Sequence, residues 1–130
     1  MYLRRKRPIE ARANAITEEQ RTIARQFGQY FLDGARLHGY RECHYNPRFW
    51  QATVKRFRDY DNLAEDASLL DVGCGKGFML YDVQQRMPTL AIAGLDISGY
   101  AIANAMEKVK PFVQVGNAKS LPYRDNSFDL

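Results

Sequence analysis

Leu69-Leu70-Asp71-Val72-Gly73-Cys74-Gly75-Lys76-Gly77-Phe78 is a short apolar strand that runs into three glycines within five positions, then opens a helix through Phe78, Met79 and Leu80. Glycine so concentrated costs chain entropy, and the cost is justified where the backbone must turn tightly and admit a close neighbour. A nucleotide-like ligand fits that need, because the N–H groups and positive dipole end of the following helix face it. The spacing separates ligand classes. A dinucleotide loop reads Gly-x-Gly-x-x-Gly, and its third glycine would fall where Phe78 stands. The spacing here is Gly-x-Gly-x-Gly with Asp71 two residues ahead, which argues against a nicotinamide oxidoreductase.

Downstream, short apolar runs alternate with helical periodicity, the pattern of βαβ units and a parallel sheet. The spacing predicts a strand Ser68 to Val72, a helix with Leu80, Val83 and Met87 inward and closed by Pro88, and a strand Leu90 to Asp96. A second helix then starts at Ser98 with Ile102, Met106 and Val109 on one face, and a third strand runs from Phe112 to Val115. In such sheets ligands sit beyond the carboxyl ends of the strands. There Asp96, nineteen residues after Gly77, can accept hydrogen bonds from two ribose hydroxyls, Ile97 can lie on an adenine face, and Asn117 offers an amide to a base edge.

Upstream the chain is basic. Residues 1–60 hold 13 Lys and Arg against 6 Asp and Glu, net +7, whereas residues 61–130 are net −3. Residues 1 to about 15 read as a mobile arm. Thr17-Glu18-Glu19-Gln20 is a capping box, and Ile23, Phe27, Tyr30 and Phe31 recur at helical spacing up to Asp33-Gly34. An aromatic loop follows, Tyr40 to Tyr45, with His38 and His44 as hydrogen-bonding loop residues; a lid over the ligand and a general base from this loop are the sharper alternatives. Asn46-Pro47 caps another helix, whose stripe of Trp50, Val54, Phe57 and Tyr60 is spaced for packing against the sheet. Asp61 to Asp66 is a polar connector.

No apolar run reaches the ~20 residues that span a bilayer, and no apolar region follows the basic start as in a signal peptide. The two cysteines, Cys43 and Cys74, are expected to be reduced thiols, and Cys43-His44 alone does not make a metal site. A cytoplasmic protein without membrane or metal is the expectation.

Taken together, Leu69 to Gly77, Gly94-Leu95-Asp96-Ile97-Ser98, Gly116-Asn117-Ala118, Leu121-Pro122-Tyr123 and Asp125-Asn126-Ser127-Phe128-Asp129 resemble, in this order, the class I S-adenosylmethionine-dependent methyltransferases. The resemblance covers residues 67 to 130. It implies an α/β fold, a Rossmann-like parallel sheet of which this chain holds the first three strands and the start of the fourth of seven. An α-helical, aromatic-rich N-terminal extension precedes it. The division is 1–62 for the basic helical extension and 63–130 for a partial S-adenosyl-L-methionine-binding domain. The resemblance also implies that Asp71 with the turn Gly73, Cys74, Gly75 and Gly77 holds the methionine end of the cofactor. Asp96 would then hold the ribose, and Asn117 with Ala118 the adenine, beside the Ile97 already placed on its face. Many members carry aspartate where Asn117 stands, and the amide carbonyl still offers an acceptor. No catalytic residue is implied. The expected parent is a methyltransferase acting on a small-molecule acceptor. The alternatives are a non-catalytic adenosine-cofactor module and a nucleic-acid methyltransferase using the basic arm, the latter weakened because solvated helix faces account for most of the arginines. Leu130 would lie near the start of the fourth strand, so the sequence reads as a fragment, or as a chain whose sheet a partner chain completes.

Overall fold

The computed structural model describes residues 9–40, 42–60 and 62–130, the side chains of Arg12 and Tyr60 excepted. Two compact units divide between Cys43 and His44.

In the first unit the expected mobile arm is in part helical: Ile9–Ala15 form α1, rich in alanine and with Glu10 in its first turn, as helix propensity and the dipole favour. Residues 1–8 of that arm lie outside the described residues. The capping box forms as expected ahead of α2 (Glu18–Ala24), with the Gln20 N–H donating to Thr17 Oγ1 and the Thr17 N–H donating to Gln20 Oε1. The expected continuous helix to Asp33 is broken. Phe27 turns at φ 50°, and α3 (Gln29–Asp33) starts afresh after Gly28. The turn sets the Phe27 ring edge-on to Phe31 at 5.2 Å, a contact that offsets the cost of a left-handed non-glycine residue. The aromatic loop folds back on α3: the Tyr40 N–H donates to the Phe31 carbonyl at 2.8 Å, and the two rings meet edge to face at 5.4 Å.

The second unit opens with α4 (Pro47–Tyr60), where Asn46 Oδ1 accepts the Arg48 N–H at 3.0 Å. Of the expected stripe, Val54 is fully buried and Phe57 packs on the core, while Trp50 stays 36% exposed; the Tyr60 side chain lies outside the described residues. The face rests mainly on α5 (Phe78–Arg86) rather than on the sheet. Strands β1 (Ser68–Val72), β2 (Ala91–Asp96) and β3 (Val113–Val115) form a parallel sheet in the order β1-β2-β3. Leu69, Leu80, Val83, Leu95, Val109 and Val54 are its largest fully buried side chains, each contributing about 1.5–3 kcal/mol on burial.

Two expected elements are shorter. Helix α6 (Gly99–Ala103) ends early, because the Met106 N–H is captured by the Lys76 carbonyl at 3.0 Å and the chain leaves its axis. A 3-10 turn at Lys110–Phe112 takes the first residue expected in β3. Beyond β3 the chain returns to the far side of β1. The Leu130 N–H donates to the Ser68 carbonyl (3.2 Å), and the Leu70 N–H donates to the Leu130 carbonyl (2.9 Å), the pairing of a parallel neighbour. Asp129 Oδ2 pins this return by accepting both the N–H and the Oγ–H of Ser68 at 2.8 Å.

Candidate functional site

Parallel register brings three strand ends to one edge: Val72 pairs with Leu95, and Asp96 with Val115. Neighbouring strands lie about 4.8 Å apart, so Gly73, Ile97 and Gly116, which follow those ends, stand side by side. The structure thus gathers all nine expected residues, from Asp71 through Ala118, at the carboxyl edge of the sheet.

The turn itself is held from below. The Gly73 and Cys74 N–H groups both donate to the Leu95 carbonyl, at 2.7 and 3.1 Å, and the Gly77 N–H donates to Cys74 O at 2.9 Å. The Gly75 N–H donates to Asp96 Oδ2 at 2.8 Å. A phosphate-binding loop aims such amides at its ligand. Here they are spent on the end of β2 and on the turn itself, which suits a ligand without a pyrophosphate at this point. Gly73, Gly75 and Gly77 all have positive φ, 88°, 55° and 75°. At Gly73 and Gly75 an added Cβ would meet nothing within 4 Å, whereas at Gly77 it would strike Val109 Cγ2 at 2.5 Å. The first two border open space, and the third is tight against the core.

Asp96 joins the turn to α6. Its Oδ2 holds Gly75 and its Oδ1 accepts the Ser98 N–H at 2.8 Å; each oxygen keeps a lone pair for a further donor. Beside it Ile97 is 53% exposed, an apolar face at the strand end. Asp71 is half-buried, and that burial, followed by the charge of Asp96, raises its carboxyl to about 6. The two carboxylates make the edge favourable to a cation.

Cys74 departs from the others. Its side chain is buried, and burial with Asp71 and Asp96 pushes its thiol up to about 12, so it is a neutral packing group facing Gly94. Its N–H is already spent on Leu95, which leaves little of the residue for a ligand. Asn117 Oδ1 accepts the Lys119 N–H at 3.0 Å and its carbonyl accepts the Ser120 N–H at 3.0 Å, closing a tight exposed turn. Ala118 sits in that turn, exposed.

Sequence reasoning missed Asp82 and the part played by Tyr45. The Tyr45 hydroxyl donates to Asp82 Oδ1 at 2.6 Å, and its ring meets Phe78 and Tyr81 edge to face at 5.9 and 5.2 Å. Tyr40 packs on α3 in the first unit, and Tyr45 on α5 in the second. The visible signal was an aspartate beside Val83 on the apolar face of α5. Among the described residues there is no cluster of three His, Cys, Asp or Glu that could hold a metal, and no helix long and apolar enough to cross a membrane.

Comparison with known proteins points the same way. Residues 70–130 match the methyltransferase domain family. The chain is 32% identical over 88 residues to a demethylmenaquinone methyltransferase of Symbiobacterium thermophilum, covering 62% of this chain and 35% of that protein. It is 34% identical over 84 residues to the protein of that name from Bacillus licheniformis, covering 58% and 36%. The chain thus spans about a third of the length of these curated relatives. Among solved structures it resembles the MccD protein, with 26% identity, a TM-score of 0.51, and coverage of 58% of this chain and 36% of that one.

Proposed function

We propose, from the match of residues 70–130 to the methyltransferase domain family, that this is a class I S-adenosylmethionine-dependent methyltransferase, that the carboxyl edge of its sheet binds S-adenosyl-L-methionine and that the protein transfers the methyl group to a small-molecule acceptor. The observation that carries the reading is Asp96, which ties the glycine turn to α6 and keeps a lone pair on each oxygen beside the open faces of Gly73 and Gly75.

The residues fit the cofactor. Gly73 and Gly75 leave room for its methionine end, and the carboxylates of Asp71 and Asp96 balance its positive charge. Asp96 accepts from the ribose hydroxyls, Ile97 lies against the adenine, and the turn at Asn117 and Ala118 meets the base edge. Gly77 keeps the start of α5 close to Val109, and Cys74 contributes through the backbone of the turn. When bound, the cofactor supplies a methyl group on a sulfonium, a leaving group good enough that the protein's work is alignment and the exclusion of water. No acid–base set is required of the chain for that step. On this reading residues 63–130 are the cofactor domain and residues 1–62 its extension, although α4 packs with the sheet unit. A cytoplasmic location is part of the proposal and rests on the expectation that Cys43 and Cys74 are reduced thiols.

Calorimetric titration of S-adenosylhomocysteine tests the reading. Micromolar binding is expected, worth about −8 kcal/mol, and Asp96→Ala should weaken it about tenfold or more through the lost charge-assisted bonds. A folded protein that binds neither this ligand nor S-adenosylmethionine would overturn it. Binding without turnover on any acceptor would favour the non-catalytic module.

A further inference from the structure

Helix α5 carries a group that helix packing does not explain. Asp82 is 3% exposed, between Tyr81 and the fully buried Val83. Its Oδ1 accepts from Tyr45, while its Oδ2 is buried with no partner among the described residues. A buried carboxylate oxygen without a partner is a cost, where a leucine at the same place would be a gain, so packing alone does not favour it. What the carboxylate does hold is Tyr45, at 2.6 Å; that bond, followed by burial, pushes the Tyr45 phenol up to about 12, so it stays a donor.

Tyr45 lies against Phe78, Tyr81 and Asp82, which share one face of α5 at i, i+3 and i+4. Phe78 is the first residue after Gly77. The glycine turn and its helix are fixed elsewhere by Asp96 on Gly75, by the Met106 N–H on the Lys76 carbonyl, and by Val109 beneath Gly77. All of those come from residues 96–109. From outside the βαβ unit α5 is met by α4 and by Tyr45, on the segment leading into α4, and Tyr45 reaches its first residue, Phe78.

We propose that Tyr45 is a positioning residue for the cofactor site: through Asp82 and Phe78 it sets the first turns of α5, and with them the geometry of the Gly73–Gly77 turn. The inference rests on the reading of that turn as a cofactor site. It gives the N-terminal aromatic segment a part in cofactor affinity rather than in covering the ligand.

The test is Tyr45→Phe combined with Asp82→Asn, which removes the bond without leaving a buried charge. This variant is expected to fold with its β2 amides exchanging at the wild-type rate, while the amides of Gly77 to Leu80 exchange faster. It should bind S-adenosylhomocysteine about tenfold more weakly, the equivalent of one strong hydrogen bond. Asp82→Asn alone keeps an acceptor for the Tyr45 hydroxyl and should retain near wild-type affinity and exchange. The proposal is overturned if the folded double variant binds as tightly as wild type, or if Asp82→Asn alone loses as much, since charge and not the tether would then be responsible. Uniformly faster exchange across β2 and α5 would reduce Tyr45 to a general stabiliser and also overturn it. Wild-type protein that binds no S-adenosylhomocysteine would instead defeat the reading of the site; the exchange comparison, made without ligand, still decides whether Tyr45 sets the turn.

Discussion

At the level of single residues the site is governed by what happens to charge at the edge of a dry sheet. Asp71 has its carboxyl raised to about 6 by burial and then by Asp96. A raised acid binds its proton more tightly folded than unfolded, so its contribution to stability is full below the ordinary carboxylate value and is lost as pH rises through about 6. A cationic ligand reverses the preference by favouring the ionised form. Affinity for S-adenosylmethionine should therefore rise about tenfold between pH 5 and 7 and flatten above, with one proton released per ligand on the acid side. Titration at several pH values checks this, and Asp71→Asn should abolish the slope; a slope that survives the substitution would assign it to another group. That an acid precedes the glycines was legible in the chain, as was Asp96 at the second strand end. The neutral, inward role of the Cys74 thiol was legible only in part, because its neighbours Gly94, Asp71 and Asp96 meet it through the fold.

The elements around the turn show why two glycines of one motif are not equivalent. An alanine at either Gly75 or Gly77 takes on a left-handed conformation costing about 1–2 kcal/mol. At Gly77 the new methyl also collides with Val109 Cγ2, and overpacking adds about 1–3 kcal/mol. Gly77→Ala should accordingly lower the unfolding free energy about twice as much as Gly75→Ala. Gly75→Ala should instead lose cofactor affinity disproportionately, since its Cβ projects into open space, the space proposed for the ligand. Denaturant melts and titrations of the two variants separate these outcomes, and equal destabilisation would contradict the assigned packing. Helix starts were readable from Thr17, Asn46-Pro47 and Ser98, because caps are local chemistry. Helix ends were not: α6 stops where Met106 finds Lys76, some thirty positions back, and the helix begun at Thr17 breaks where Phe27 turns its ring onto Phe31.

Across the whole molecule, the second unit is a three-strand parallel sheet with the returning chain beside β1, so that β1 has neighbours on both sides. Asp129 clasps the start of β1 through Ser68, and those bonds draw its carboxyl below the ordinary range. Asp129→Ala should therefore speed amide exchange at Ser68 and Leu70 while leaving β2 and β3 unchanged. An unaffected Leu70 amide would mean that the Leu130 carbonyl alone secures the edge. The same clasp should weaken on acidification, as Asp129 takes up a proton. The chain's own order of residues determined the strand–glycine turn–helix unit, the succession of βαβ elements and the chemistry at each strand end, because hydrophobic period, caps and glycine placement act over a few neighbours. Only the tertiary structure decided that α4 lies on α5, that Asp96 clips Gly75, and that Tyr45 finds Asp82 across 37 positions. Such contacts depend on which surfaces packing brings together, and no local preference in the chain encodes that.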